Sequence, residues 1–154
     1  MKKLFFITAV AILLLPAAAL AVGPGDIGLG LILGEPTGLS AKLWLDKDVA
    51  VDAAVAWSLE STTYFHLHTD YLFHDFDAFD VKKGELAFYY GPGARIKMHK
   101  HRKTRVGLRA TGGINYIVPK HPIDLFFEIA ILVDVIPDTE ADFNAGLGMR
   151  YYFH

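Results

Sequence analysis

Strict alternation of apolar and other side chains is the feature of this sequence that most limits its fold. In the last segment one set of alternate positions is apolar: Phe143, Ala145, Leu147, Met149, Tyr151 and Phe153. The positions between them are polar, charged or small, apart from one tyrosine: Asn144, Gly146, Gly148, Arg150, Tyr152 and His154. Successive side chains of a β-strand point to opposite faces, so this pattern predicts a strand with a different environment on each side.

Seven more segments alternate in the same way. The eight segments cover residues 27–34, 39–45, 51–59, 65–73, 86–98, 105–116, 123–135 and 143–154. Turn-forming residues separate them: Glu35–Thr37, Asp46–Asp48, Glu60–Thr62, Asp75–Gly84, His99–Thr104, Pro119–Pro122 and Pro137–Glu140. The segments have 7 to 13 residues, a range around the nine to eleven that a tilted strand needs to cross a bilayer. An even number of hairpin-connected strands closes without an edge, so the sequence predicts an all-β, eight-stranded antiparallel up-and-down transmembrane β-barrel.

The first 21 residues differ from the rest and predict a cleaved signal peptide. Lys2 and Lys3 form a short positive region, Leu4–Leu15 is apolar apart from Thr8, and Ala19-Leu20-Ala21 has the small-x-small pattern of a cleavage site. A transmembrane anchor is the alternative, but the apolar run is too short for one. We therefore assign residues 1–21 to a signal peptide and residues 22–154 to the barrel.

Composition excludes several classes of function. Without Lys2 and Lys3 the mature chain has 13 basic and 17 acidic residues. No basic excess points to nucleic acid as a partner. The chain has no cysteine, which rules out disulfides, thiolate metal ligands, a cysteine nucleophile and lipoprotein anchoring.

The distribution of charge predicts which face of the sheet points outward. The apolar face carries no charge in any of the eight segments. The opposite face carries eleven charges: Lys42, Asp52, Asp70, Arg95, Lys97, Arg105, Arg109, Asp124, Glu128, Asp134 and Arg150. A soluble barrel would have to enclose the apolar face in its lumen. Those side chains are larger and more numerous than an eight-stranded barrel can enclose. We therefore predict an apolar outer surface and a lumen in which the charges pair and fill the interior, since an unpaired buried ion is costly. A selective pore is the alternative.

Aromatic residues support a membrane-spanning orientation. With the mature N-terminus on the periplasmic side, seven aromatics fall near the periplasmic rim: Tyr71, Phe73, Phe88, Tyr116, Phe127, Tyr151 and Phe153. Three fall near the outer rim: Trp57, Phe65 and Phe143. Two aromatic girdles are typical of a membrane barrel.

The signal peptide, the eight alternating strands and the terminal Tyr151-Tyr152-Phe153 resemble a small OmpA-type outer-membrane barrel protein. The resemblance covers the mature chain as architecture, without a diagnostic motif. It implies export by the Sec pathway to the outer membrane of a Gram-negative-type bacterium. Outer-membrane lipids and, during biogenesis, the barrel-insertion machinery are the implied partners.

Two features depart from the pattern of that family. The C-terminal aromatic that the insertion machinery recognises is one place early, because His154 follows Phe153. The longest connection, Asp75–Gly84, falls on the periplasmic side, whereas these barrels usually have long outer loops. This argues against adhesion or receptor roles based on loops.

His66, His68 and Asp70 share one face of the fourth segment and could chelate Zn²⁺. The alternative, which we favour, is a polar lumen face in which the histidines form hydrogen bonds. We therefore predict no cofactor and no metal, and keep these three residues as the candidate ligands.

A catalytic role would need a nucleophile activated by a base. The mature chain offers only Ser40, Ser58 and Ser61, none of them in a motif, so we predict no catalytic residue. Gly91-Pro92-Gly93 predicts a bulge in the fifth segment, because proline cannot donate to the strand ladder.

The predicted function is a non-enzymatic outer-membrane barrel that contributes to envelope structure or passes very small solutes poorly. Two alternatives remain open. A lipid A-modifying enzyme would require serine, histidine and an acid to converge at one rim. A soluble periplasmic barrel that binds an apolar ligand would require the apolar face to point inward.

Overall fold

The computed structural model describes residues 22–57 and 64–154. These residues form eight strands: β1 (Ile27–Gly34), β2 (Gly38–Trp44), β3 (Val49–Trp57), β4 (Tyr64–Asp75), β5 (Glu85–His99), β6 (Arg102–Ile117), β7 (Ile123–Ile136) and β8 (Glu140–Phe153). In these ranges there is no helix long and apolar enough to cross a membrane. The predicted all-β fold class is confirmed.

The strands form one closed antiparallel barrel in sequence order. Each strand pairs with the next, and β8 pairs with β1 in a register that places Ile27 opposite Phe153 and Gly34 opposite Gly146. In the described residues every strand therefore has a neighbouring strand on both sides, and the sheet has no edge strand. The barrel has two ends. The terminal end holds residues 22–26, His154 and the connections 45–48, 76–84 and 118–122; the hairpin end holds the connections 35–37, 100–101 and 137–139.

The strands differ in length more than the sequence suggests. β1, β2 and β3 have 8, 7 and 9 residues, whereas β5 to β8 have 15, 16, 14 and 14. The predicted break at His99–Thr104 is wrong in extent, because only Lys100 and His101 lie between β5 and β6. Its charged residues indicated a loop, but a hairpin keeps its backbone ladder even where its side chains are polar.

The predicted bulge at Gly91-Pro92-Gly93 is also wrong. Gly91, Pro92 and Gly93 pair with consecutive residues of β6 without a register shift, and the shift in this hairpin lies between Lys97 and His99. On the other side, the pairing with β4 passes from Asp70–Gly93 directly to Phe73–Tyr90. The missing proline N–H therefore leaves a gap in one ladder without adding a residue.

The two faces of the barrel wall have opposite chemistry. Large apolar side chains cover the outer surface, among them Leu29, Leu108 and Ile131, which are 51%, 62% and 63% exposed. The lumen contains buried charged side chains together with two apolar clusters. One cluster lies along the barrel interior and comprises Ile32, Ala54, Leu72, Tyr89 and Phe126. The other comprises Trp44, Ala50, Ile117 and Tyr152, with Val22 and Phe76 of the terminal end packed against it.

Candidate functional site

The charged lumen is the candidate site. Nine of the eleven predicted lumen charges are buried: Lys42, Asp52, Asp70, Arg95, Arg109, Asp124, Glu128, Asp134 and Arg150. Lys97 and Arg105 are only partly buried. Their backbone positions lie opposite each other in the register of β5 and β6, and Lys97 also lies opposite buried His66 on β4. Both residues are therefore on the inward face near the hairpin end. The buried charges form three clusters.

The central cluster joins β4, β6 and β7. Arg109 donates from Nε to Oδ1 of Asp70 at 2.8 Å and from Nη2 to Oδ2 of Asp70 at 3.0 Å. The same Nη2 lies 3.4 Å from Oε1 of Glu128. The hydroxyl of Thr111 donates to Oδ2 of Asp70 at 3.0 Å. A two-point contact between arginine and carboxylate is both strong and geometrically specific, so it ties β6 to β4 over the inner face of β5.

The terminal-side cluster is centred on Arg150 and Asp124. Nε of Arg150 donates to Oδ1 of Asp124 at 3.1 Å, and the hydroxyl of Tyr152 donates to Oδ2 of Asp124 at 2.6 Å. The guanidinium carbon of Arg150 lies 3.9 Å from the ring centroid of Phe126. A cation over a ring face gains from the ring quadrupole when water is excluded. Nη1 of Arg150 also lies 3.8 Å from Oδ2 of Asp52.

Lys42 belongs to the same level of the lumen. Its Nζ donates to Oδ1 of Asn115 at 2.9 Å and contacts Nε2 of His74 at 2.7 Å. It also lies 4.3 Å from the ring centroid of Trp44. The buried ammonium is therefore held by neutral polar groups and an aromatic face.

The hairpin-side cluster joins β5, β6, β7 and the start of β8. Arg95 donates to both oxygens of Asp134, at 3.0 and 2.7 Å, and to Oδ2 of Asp142 at 2.9 Å. Arg105 lies 2.9 Å from Glu140, with both side chains partly exposed. Sequence reasoning missed Asp142 and Glu140 as partners. Their even positions on β8, on the same face as Arg150, were the signal for them.

The histidine and aspartate candidates for a metal site are only partly brought together. Nε2 of His66 lies 3.2 Å from Nδ1 of His68, which is a histidine pair and not a shared approach to Asp70. The group whose ligand atoms lie within 4.8 Å of one another is Asp52, His68 and Asp70. Both oxygens of Asp70 already accept hydrogen bonds from Arg109, whose positive charge opposes a divalent cation at that place.

The lumen also holds large aromatic residues whose role the sequence did not reveal. Trp44, Tyr89, Phe126 and Tyr152 are each no more than 2% exposed. Tyr89 donates from its hydroxyl to Oε2 of Glu128 at 3.3 Å. These side chains occupy the lumen beside the buried charged groups.

The residues predicted at the membrane rims lie on the outward face. Seven of them are exposed: Trp57, Tyr71, Phe73, Phe88, Phe127, Phe143 and Phe153. Phe65, Tyr116 and Tyr151 are half-buried. Several form edge or tilted pairs, such as Tyr151 with Phe153 at a centroid distance of 5.1 Å. Tyr90, which is 52% exposed, adds to the rim at the terminal end by packing on Phe73.

The serine candidates do not converge with a base in the described residues. Ser40 is buried in the lumen, where its hydroxyl oxygen lies 3.4 Å from Nη1 of Arg150. Ser58 and Ser61 lie outside the described residues.

Comparison with known proteins shows the fold. No protein-family model matches the chain, and no curated protein matches it either. The N-terminal β-barrel domain of Pseudomonas aeruginosa OprF is similar in structure, with a TM-score of 0.62 and 12% identity over 86% of this chain and all of that domain. Ail, the attachment invasion locus protein of Yersinia pestis, matches with a TM-score of 0.39 and 14% identity over 83% of this chain and 95% of that one. The predicted OmpA-type architecture is confirmed at the level of the fold.

Proposed function

We propose that this chain is a non-enzymatic outer-membrane β-barrel that contributes to envelope structure and keeps its lumen closed. The observation that carries the proposal is the contrast between the two faces of the wall. Leucine, isoleucine and aromatic side chains are exposed outside, whereas arginine, lysine and carboxylate side chains are buried inside. Lipid is the environment that stabilises such an outer surface, and outer-membrane lipids are therefore the proposed partners.

A soluble barrel that binds an apolar ligand would need the reverse arrangement. Its lumen would be apolar and its outer surface polar. Exposed aromatics at both ends of the outer surface, such as Phe143 and Phe153 of β8, also favour a membrane with two interfaces.

Three charged clusters and the aromatic side chains beside them support the proposed closed lumen. A solute that crosses the barrel has to displace the Arg95–Asp134, Arg109–Asp70 and Arg150–Asp124 pairs. Each displacement leaves a charge without its partner in a site from which water is largely excluded, which is costly. Passage of even very small solutes is then rare.

Fractionation and gel migration test the location of the protein. We expect the expressed protein in the outer-membrane fraction and a shift in migration between unheated and heated samples, because a closed barrel resists detergent until it is boiled. Recovery of soluble protein from the periplasm would overturn the proposal.

Conductance in planar bilayers tests the closed lumen. The wild type is expected to show no steady open level. Phe126→Ala removes a buried ring that packs on Arg150 and is expected to produce brief openings. Phe127→Ala is the matched control, since the neighbouring ring faces outward and is 45% exposed. A steady conductance in the wild type, or equal conductance in the two variants, would contradict the closed lumen.

A further inference from the structure

The hairpin of β5 and β6 ends in a concentrated set of basic residues. Between positions 97 and 105 the chain has five lysines or arginines and two histidines: Lys97, His99, Lys100, His101, Arg102, Lys103 and Arg105. We call the exposed residues Lys100, Arg102 and Lys103 the basic tip. β5 and β6 are the two longest strands of the described chain, with 15 and 16 residues. The basic tip therefore lies at the far end of the longest hairpin.

The acidic side chains that face this hairpin form salt bridges with arginines outside the basic tip. Glu140 and Asp134 contact Arg105, and Asp142 contacts Arg95. Among residues 22–57 and 64–154, no acidic side chain lies within salt-bridge distance of Lys100, Arg102 or Lys103. The positive charge of the basic tip is therefore not balanced within the described part of the barrel.

The outer surface below the basic tip is apolar. Met98 and Ile96 of β5 are 42% and 39% exposed, and Leu108 of β6 is 62% exposed. A molecule that binds here contacts basic groups at the end of the hairpin and an apolar surface along its strands. A lipid with a phosphate headgroup above acyl chains has the same order of charge and apolar surface.

We propose that the basic tip binds anionic lipid headgroups in which a phosphate carries the net negative charge, with the acyl chains lying against Ile96, Met98 and Leu108. This inference rests on the proposed membrane location, since it requires the outer surface to be in lipid. Each lysine or arginine near an anionic membrane surface raises local affinity about fivefold. The interaction is screened by salt because the tip is exposed to water.

Tryptophan quenching by brominated lipids measures this preference at one position. The probe protein carries Met98→Trp to report from below the tip and Trp57→Phe to remove the outward-facing tryptophan, while Trp44 stays buried in the lumen. It is placed in vesicles of phosphatidylcholine mixed with phosphatidic acid, with one or the other lipid brominated. We expect the site to favour phosphatidic acid by at least about tenfold at low salt, less at high salt.

Two triple variants in the probe protein assign the preference to the tip. Lys100→Gln, Arg102→Gln and Lys103→Gln are expected to bring the preference close to one. Lys82→Gln, Lys83→Gln and Lys120→Gln remove the same charge from exposed lysines at the terminal end and are expected to leave the preference unchanged.

The outcomes separate the inference from the proposed function. Equal quenching by both lipids in the probe protein, or a preference that survives in the tip variant, overturns lipid binding at the tip while membrane contact stands. Absence of quenching by either lipid contradicts the membrane location itself. If a DNA duplex in solution binds the protein in neutral vesicles and the lipid preference is absent, the tip binds soluble polyanions and the inference fails.

Discussion

The contact between Arg109 and Asp70 shows how strongly the lumen depends on a single buried ion pair. Both residues are almost completely buried, and the guanidinium satisfies both oxygens of the carboxylate. Removal of one partner leaves the other charged and unpaired in the interior, which is far more costly than loss of an exposed pair. Breaking such a contact therefore lowers the free energy of unfolding by more than forming it contributes.

We expect Arg109→Met to lower the free energy of unfolding by about 3–5 kcal/mol because Asp70 and Glu128 lose their shared cation. Urea unfolding in phosphatidylcholine vesicles, followed by tryptophan fluorescence, measures the loss. A second change, Asp70→Asn, is expected to recover part of it, since no unpaired carboxylate then remains at that position.

Arg105→Met is the control for this prediction. The side chain of Arg105 is 32% exposed and its partner Glu140 is 58% exposed. Buried Asp134, which Arg105 contacts at 3.7 Å, keeps its two hydrogen bonds from Arg95. The expected loss is therefore below about 1 kcal/mol. Equal losses in Arg109→Met and Arg105→Met would show that burial does not set the strength of these pairs.

Sequence alone placed the lumen charges on the inward face but did not identify their partners. The alternation fixes the face of each strand, and this put Asp70 and Arg109 inside. It does not fix the relative height of strands that are not neighbours in the sheet. Asp70 lies on β4 and Arg109 on β6, and they meet across β5 because the registers of two ladders bring them level. For the same reason the sequence grouped His66 with Asp70, whereas the structure groups Asp52 with His68 and Asp70.

At the scale of the strand, β5 shows why a glycine lies where two strands approach closely. Gly93 pairs with Asp70 on β4 and with Arg109 on β6. A Cβ at this position would overlap Oδ1 of Asp70 and lie 2.5 Å from the backbone oxygen of Thr69. The glycine therefore leaves the space through which Asp70 reaches Arg109.

We expect Gly93→Ala to destabilise the barrel by about 1–3 kcal/mol, because the methyl group forces the Asp70 side chain or the β4 backbone to shift. The fraction of protein that migrates as the unheated barrel form, measured along a urea series, reports the effect.

Gly112→Ala on β6 provides the comparison. The nearest atom to a Cβ there is the backbone oxygen of Tyr89 at 3.8 Å, which is ordinary contact. Its expected change is within about 1 kcal/mol and favours stability, because alanine restricts the unfolded chain. A Gly112→Ala variant as unstable as Gly93→Ala would contradict the argument from close approach.

The strands themselves were predicted well and their ends less well. Eight alternating segments became eight strands because period two survives wherever the outward face and the lumen face of a strand meet different environments. At the hairpin end that contrast disappears, and a paired strand looks like a loop in the sequence. This is why β6 begins at Arg102, within the segment predicted as a break.

At the scale of the whole molecule, both termini of the barrel lie at one end and are tied together. His154 contacts Oδ1 of Asp26 at 2.8 Å through Nδ1, and the backbone N–H of Gly23 donates to Oδ2 of the same carboxylate at 2.7 Å. The backbone of residue 25 also donates to Trp44 at 2.8 Å. With an even number of strands, the orientation of this end decides the orientation of every connection.

We expect the terminal end to face the periplasm and the hairpin end to face outward. The chain has no cysteine, so His101→Cys and Lys83→Cys each introduce a single thiol at an exposed position. A polyethylene-glycol maleimide too large to cross the outer membrane is expected to label position 101 in intact cells. It is expected to label position 83 only after the outer membrane is permeabilised. Labelling of position 83 in intact cells, and of position 101 only after permeabilisation, would show the reverse orientation.

The unequal heights of the barrel wall have a consequence for the membrane proposed to surround it. β2 has seven residues, and at about 3.3 Å per residue it is about 23 Å long before any tilt, less than the apolar band of about 25 Å that is usual in outer-membrane barrels. β6, with 16 residues, exceeds that band. In the proposed membrane location, the bilayer has to thin beside β1 to β3, or the barrel has to lean, if the apolar surface is to be covered on both sides. A bilayer around this barrel therefore has an uneven hydrophobic thickness, and the lipid is most deformed beside the short wall formed by β1 to β3.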